Sequence, residues 1–250
     1  MTDASFLLAM RLADSFLPVG THTASYGIEQ YVNDGRIETA EELGALIEAY
    51  LERIVGPTDV VALGNAHAAA TEGTLDGVCT ADRRLHAAML PAEFRDSSTK
   101  GGHKLLELLT ETDGQLFPAM DDGAVADGVV ADGAGDDVAT AYAAAVGDGE
   151  TPGHYAVALG VVGQRGGLSK REASLLQAYS FVTELLGAAQ RLGQFGHTAI
   201  QAQLAHLLPV VEDICDTYAD SDLDRLSSFA PLAEIMGMHH ERADRRLFMS

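Results

Sequence analysis

The spacing of apolar residues along this chain is helical wherever a period can be counted, and no other feature constrains the fold as strongly. Over residues 41–54 the apolar positions recur at intervals of three and four, which is the stripe of an amphipathic helix. Thr39 with Glu42 and Ser169 with Glu172 form capping boxes in front of two such stripes. Because alternating apolar and polar segments are missing, we predict an all-α fold, a single-domain bundle of about ten helices.

The remaining helices are predicted from apolar spacing and alanine content. They cover residues 59–72, 80–90, 105–109, 137–147, 153–164 and 200–211. Gly166 and Gly167 follow one of these segments and stand just before Ser169, so they are read as the end of one helix ahead of the next.

One stretch interrupts the helical pattern. Residues 113–137 are dense in Asp and Gly and carry no apolar stripe, so we expect a flexible acidic loop within one domain that spans residues 1–250. A calcium-binding loop is the alternative, because Asp132, Asp136 and Asp137 offer oxygen ligands. The spacing lacks the alternate ligands and the terminal Glu of an EF-hand, which favours the plain loop.

The net charge excludes one class of partner. The chain carries 37 acidic and 16 basic side chains, a formal charge of −21, and only three of the basic residues are lysines. Such a surface cannot neutralise the phosphates of a nucleic acid. It is typical of proteins from salt-rich cells, where ions screen the repulsion between carboxylates. We therefore expect a halophilic source and no nucleic-acid partner.

The chain also lacks the sequence features of secreted and membrane proteins. No window holds the roughly 20 apolar residues that cross a bilayer, and the N-terminal apolar stretch is interrupted by Arg11 and Asp14, unlike a signal peptide. Cys79 and Cys215 are too few for a disulfide framework or a four-thiolate zinc site. We expect a cytoplasmic protein with no membrane partner.

Common signatures of catalysis are missing from the sequence. It contains no G-x-x-x-x-G-K-[ST] phosphate loop, no G-x-S-x-G nucleophile elbow and no H-E-x-x-H zinc motif. Nine histidines and many carboxylates leave a metal-dependent helical enzyme as the alternative, with its densest cluster at residues 239–241. Adjacent helical side chains point about 100° apart, so we expect no catalytic residues and no stably bound metal or cofactor.

Two clusters in the first half of the chain contain residues that helix formation alone does not explain. Residues 18–29 join the apolar N-terminal segment to a predicted helix through a rigid Pro, a permissive Gly and several hydroxyls. In the second cluster, helical spacing places Arg95, Ser98 and Gly102 on one face, which suits close helix packing or a contact surface.

Two further clusters lie in the second half. Residues 191–201 place an Arg and two glycines where a helix would otherwise continue, which predicts a break in the helix. Residues 238–250 combine several arginines with Leu, Phe and Met, the composition of an interface anchor.

In this order, the clusters resemble the UreF family of urease accessory proteins. The first block matches the family pattern at Pro18, Val19, Gly20, Ser25, Gly27 and Glu29, and it also contains Tyr26. The second matches at Glu93, Arg95, Ser98, Gly102 and Leu105, and a G-H-Y segment follows at 153–155. The third matches at Arg191, Leu192, Gly196 and Gln201. The last matches at His240, Glu241, Arg246, Leu247, Phe248 and Ser250.

The resemblance implies a non-catalytic all-α homodimer that works with other accessory proteins. In that family's scheme the protein bridges UreD, called UreH in some organisms, to the GTPase UreG, and it modulates GTP hydrolysis by UreG. The complex delivers nickel to apo-urease, so nickel is handled by the complex rather than held by this chain. A purely structural helical dimer is a further alternative.

The resemblance also implies that the matched residues bind partners. The tail 238–250 is expected to dock UreD, with Leu247 and Phe248 as apolar anchors and Arg246 as a charge-assisted donor. The block 18–29 and Arg191 are expected to face UreG or to support the dimer. An arginine-finger role for Arg191 is the alternative at that position.

Overall fold

The described residues of this computed structural model, 2–14, 17, 19, 26–111 and 137–240, form eleven α-helices, a π-helical segment and a short 3₁₀ turn, with no strand. The elements are α1 (Asp3–Leu12), α2 (Ile28–Asn33), α3 (Ala40–Tyr50), the π segment (Leu51–Val60), α4 (Val61–Thr71), α5 (Leu75–Ala88), α6 (Ala92–Glu111), α7 (Val138–Gly147), α8 (Tyr155–Arg165), α9 (Lys170–Arg191), α10 (His197–Tyr218), the 3₁₀ turn (Leu223–Arg225) and α11 (Pro231–His240). The π segment joins α3 and α4 into one long helix, which leaves ten helices in the described residues. The all-α prediction is confirmed.

Local signals in the sequence set several helix ends. The Thr39 side chain accepts a hydrogen bond from the Glu42 N–H, and the Glu42 carboxylate accepts one from the Thr39 N–H. Ser169 and Glu172 form the same capping box before α9. The predicted break near residue 191 is confirmed, because α9 ends there and the left-handed Gly193 turns the chain towards α10.

The π segment is where the structure departs from the predicted helix boundaries. The sequence predicts separate helices over 41–54 and 59–72, whereas the structure continues one helix through both. Pro57 lies inside the segment and has no N–H to donate, so a wider helical turn accommodates it. The carbonyl of Pro57 accepts a hydrogen bond from the Ser227 N–H at 3.1 Å, and the Arg53 carbonyl accepts one from the Phe229 N–H at 3.5 Å. The segment that leads into α11 is therefore held by carbonyls in the middle of the long helix.

The buried apolar side chains form two clusters. One is built mainly on α4, α5, α6, α7 and α8, and includes Leu63, Val78, Leu105, Tyr142 and Leu159. The other is built on α2, α3, the π segment, α9, α10 and α11, and includes Ile28, Leu43, Leu51, Val182 and Leu207. The long helix 40–71 supplies residues to both clusters and so joins them.

The acidic loop predicted at 113–137 lies outside the described residues except for its last member. Asp137 caps α7 by accepting a hydrogen bond from the Ala139 N–H, and it pairs with Arg165. The Asp137 carboxylate is therefore engaged in contacts within the fold. Within the part of the chain that the structure describes, no helix has the length and apolar character to cross a membrane. The extent of the domain stays a prediction.

A candidate partner-binding surface and an adjoining polar cavity

Tyr26 is the point at which separate sequence blocks meet. It has a positive φ of 45°, and Gly27 follows with φ 79°, so the chain turns sharply at the start of α2. The turn brings the Tyr26 ring against Phe94 of α6 and Phe181 of α9, with ring centroids 4.8 and 5.0 Å apart. Tyr50 donates a hydrogen bond of 3.0 Å to the Tyr26 carbonyl and fixes this turn from α3.

The C-terminal helix α11 packs on the same turn. A Cβ placed on Gly27 would lie 3.4 Å from the backbone nitrogen of Gly237, and one on Gly237 would lie 2.8 Å from the Phe94 ring. Gly237 therefore allows α11 to approach α6 closely, whereas Gly27 is needed for its left-handed backbone beside α11. The first and second predicted blocks and the helix that leads into the fourth block thus meet in one place.

The opposite side of α11 is apolar and exposed. Leu232, Ile235 and Met238 follow at every third position and are 52%, 45% and 37% exposed, and we call these three residues the α11 ridge. On the inner side Ala233 and Met236 are buried in the core. α11 is thus apolar on both sides, with one side buried in the core and the other exposed.

A small polar cavity adjoins Tyr26 on its inner side. Its volume is about 20 Å³, and we call it the Asp59 cavity. The side chains around it are Tyr26, Asp59, Ser97, Ser98, Tyr155, Gln177, Ser180, Phe181 and Glu184. Tyr26 of the first block, Ser98 of the second and Tyr155 of the G-H-Y segment thus line one cavity.

Burial controls the protonation of the groups around this cavity. It raises the pKa of the Asp59 carboxyl to about 7, and a hydrogen bond from the Thr58 hydroxyl lowers that pKa by a smaller amount. Burial also raises the pKa of the Tyr26 hydroxyl, and the negative charges of Asp59 and Glu184 add to that rise. Asp59 therefore keeps its proton up to near-neutral pH, and Tyr26 is neutral.

A second buried polar group lies where α6 meets the start of α8. The Ser98 oxygen lies 3.0 Å from Nδ1 of His154 and accepts a hydrogen bond of 3.3 Å from the Tyr155 N–H. Nε2 of His154 lies 3.0 Å from Nδ1 of His86. A neutral imidazole that accepts from Ser98 and donates to His86 satisfies both contacts. Burial lowers the pKa of His154 well below its ordinary value, which keeps it neutral.

Asp82 anchors the backbone that carries His154. Its carboxylate is fully buried and accepts hydrogen bonds from the N–H groups of Gly153 and His154 at 2.6 and 2.9 Å. It also accepts one from the Thr151 hydroxyl at 2.7 Å. Three donors thus compensate the burial of this carboxylate and fix the loop ahead of α8.

Gly102 explains why α6 can lie against this loop. A Cβ at Gly102 would come within 2.1 Å of the Gly153 carbonyl oxygen, so only glycine permits the observed approach. Ser98 and Gly102 share one face, as predicted, and that face is buried against residues 153–155. The Arg95 guanidinium donates to the carbonyls of Met89 and Leu90, at 2.5 and 2.8 Å. The second block and the G-H-Y segment are therefore one packing unit.

The third block lies apart from this region. Arg191, Gly196 and Gln201 are exposed where α9 passes into α10, and Arg191 is ten residues, about 15 Å along the helix, beyond Phe181. The structure therefore provides two separate candidate surfaces. Glu29, also expected to meet a partner, is buried in α2.

Several predicted site residues are not described by the structure. They are Pro18, Gly20 and Ser25 in the first block, and Glu241, Arg246, Leu247 and Phe248 in the last. The backbone of His240 forms the end of α11. The roles expected of these residues stay predictions.

The sequence analysis did not single out the buried Asp59, Asp82 and Gln177, or Glu184 in the cavity lining. For Asp59 a signal exists, since it is the one charged residue in the run 54–71 of largely apolar positions. Among the described residues there is no group of three or more His, Cys, Asp or Glu side chains that could hold a metal ion.

The described residues form an all-helical fold with an exposed apolar ridge on α11. Comparison with known families defines the protein further, because the UreF family model matches residues 37–208. The chain therefore belongs to the UreF family. UreF proteins are accessory proteins and not enzymes.

Individual relatives are similar along the whole chain. A protein of Trichodesmium erythraeum (strain IMS101), named urease accessory protein UreF, is 30% identical over 243 residues, which is 97% of this chain and 95% of that protein. A protein of the same name from Paenarthrobacter aurescens (strain TC1) is 29% identical over 248 residues, which is 99% of each chain. The similarity therefore includes both ends of the chain as well as the 37–208 region.

Proposed function

We propose that this chain is a urease accessory protein that acts in urease maturation by binding other proteins. Its family and the name of its relatives support the pathway. The α11 ridge, an exposed apolar strip on a helix already packed on its inner side, is the observation that supports a binding role. The metal-dependent enzyme considered from the histidines is set aside, since the family is not one of enzymes.

In this proposal the chain is a cytoplasmic homodimeric scaffold between UreD, or UreH, and UreG. Nickel is the cargo of that complex on its way to apo-urease, and the chain holds no metal of its own. Its charge of −21 favours a salt-rich cell as the setting, because screening then removes the repulsion between carboxylates.

We assign UreD docking to the α11 ridge together with the tail that follows it. The ridge is fixed from beneath by Gly237 against Phe94 and by the close approach to Gly27, so the apolar side chains are presented on a rigid support. Rigid apolar anchors lose little conformational entropy on binding. The arginines of the tail would then pair with acidic groups of the partner.

Co-expression with UreD and UreG in molar salt, followed by sizing chromatography, tests this assignment. Leu232→Asp combined with Ile235→Asp is expected to abolish co-elution with UreD, because two charges would be buried in an apolar contact. Leu208→Asp is the matched control, since Leu208 is a similarly exposed leucine on α10. Deletion of residues 241–250 should weaken the complex as well. A double variant that still co-elutes with UreD would overturn the assignment.

The turn between α9 and α10 is assigned to UreG. Arg191 and Gln201 are exposed there, apart from the α11 ridge, so one chain could bind both partners at once. Arg191→Ala is expected to weaken UreG retention at least tenfold while leaving UreD bound. Arg36→Ala, at another exposed arginine, is the control, and equal UreG retention in both variants would contradict this second assignment.

A further inference from the structure

The amide oxygen of Gln177 is an unpartnered acceptor in the interior. The side chain belongs to α9 and is 8% exposed, and its Oε1 has no hydrogen-bond partner among the described groups. A buried acceptor without a donor destabilises the fold. The same side chain lines the Asp59 cavity, and a donor to this oxygen is therefore sought there.

The cavity has the size and the lining of a site for one water molecule. Its volume of about 20 Å³ exceeds the roughly 10–15 Å³ that a water molecule needs. A buried water makes about three hydrogen bonds, and the lining offers the Gln177 oxygen, the Asp59 carboxyl and the Ser180 hydroxyl among others. We propose that the Asp59 cavity binds one ordered water molecule, which donates to Gln177 Oε1 and bridges it to Asp59.

The chemistry of the lining favours water over a metal cation. Asp59 and Glu184 are the two carboxyl groups around the cavity, and hard cations such as Ca²⁺ take six to eight oxygen ligands. Burial also favours the protonated form of Asp59, which is a hydrogen-bond donor rather than an anionic ligand. Protonated Asp59 can donate its proton to the water oxygen. The water can then donate one proton to Gln177 Oε1 and the other to a second acceptor of the lining.

The bridge has a structural consequence. Asp59 belongs to the π segment, Gln177 to α9, and the neighbouring lining residues Ser98 and Tyr155 to α6 and α8. One water would therefore connect the π segment to α9 directly behind Tyr26, where α6 and α8 also line the cavity. This role is independent of which proteins the chain binds, so it stands or falls separately from the proposed function.

A crystal structure of the full chain at a resolution that shows ordered solvent is the first test. The expected result is one density peak at 2.6–3.2 Å from both the Gln177 amide oxygen and the Asp59 carboxyl, without anomalous signal. A cavity free of density would overturn the proposal. So would a peak with metal-like contacts of 2.0–2.4 Å, which would identify a cation.

Counting long-lived internal waters in solution by ¹⁷O magnetic relaxation dispersion is the second test. Gln177→Met keeps the length of the side chain and removes the acceptor, so the count should fall by one. Gln164→Met, at a partly exposed glutamine of α8, should leave the count unchanged. An unchanged count in a folded Gln177→Met protein would contradict the proposal, and the crystal structure of the wild-type chain decides the matter if that variant does not fold.

Discussion

The hydroxyl oxygen of Ser98 lies 3.0 Å from Nδ1 of His154, and this contact joins two blocks that are 56 residues apart in the sequence. Both residues are buried. The spacing of Ser98 and Gly102 along α6 is thus explained by a partner segment within the same chain. Within the fold, Ser98 and Gly102 hold α6, and with it Phe94, in place beneath α11.

Ser98→Ala should destabilise the fold. The substitution leaves a nitrogen of the buried His154 ring and the Tyr155 N–H without this partner, which is expected to cost about 1–3 kcal/mol of unfolding free energy. Urea denaturation in high salt measures the loss. Ser227→Ala, at an exposed serine, should stay within about 0.5 kcal/mol of the wild type. Equal stability of the two variants would show that the Ser98 contact is not stabilising.

Gly102→Ala should also destabilise the fold, through overpacking. The added Cβ would meet the Gly153 carbonyl oxygen at 2.1 Å, and backbone atoms cannot yield as a flexible side chain does, so a loss of about 1–3 kcal/mol is expected. Gly147→Ala is the contrasting variant, because nothing lies within 4 Å of its Cβ position at the end of α7. It should be neutral or stabilising by up to about 1 kcal/mol, as thermal or urea unfolding will show.

Asp59→Asn should change how stability depends on pH. In the folded chain burial raises the pKa of Asp59 to about 7, whereas in the unfolded chain it ionises near 4. Between these values the unfolded state binds fewer protons, so wild-type stability falls as pH rises. Relative to Asp59→Asn, the wild type should lose on the order of 1 kcal/mol per pH unit from about pH 4 to 7.

The measurement is the difference in unfolding free energy between the two proteins across that pH range. Taking the difference removes the contributions of the other carboxylates, including the neighbouring Glu184. Asp213→Asn, at an exposed aspartate, is the matched control. A difference that does not vary with pH would show that Asp59 ionises alike in the folded and unfolded chains.

His154→Gln should reveal a pH dependence of the opposite sign. Burial lowers the pKa of His154 in the folded chain. The negative charge of Asp82 raises that pKa, whereas His86, Arg95 and His103 lower it further. The unfolded chain therefore binds a proton on His154 first, and wild-type stability falls as pH drops below about 6.5. The variant, which cannot bind that proton, should lose less stability over the same range. Parallel curves for the two proteins would contradict this account.

Local structure was readable from the sequence, because local interactions create it. Thr39 and Ser169 cap their helices through residues three positions away, and Gly193 allows the turn that ends α9. The partner of Ser98 could not be read in that way, since His154 reaches it only through tertiary packing. Asp59 was not predicted as a site residue for a related reason. Its surroundings come from five separate segments, and helical periodicity says nothing about which of them share a cavity.

The hydrogen bonds from residues 227 and 229 to the carbonyls of Pro57 and Arg53 have a mechanical consequence. A pull on α11 reaches the long helix 40–71 at its middle and not at an end that could fray. That middle is the π segment, which also carries Asp59. Tension on the C-terminal helix is thus transmitted by two short backbone links into the wall of the buried cavity.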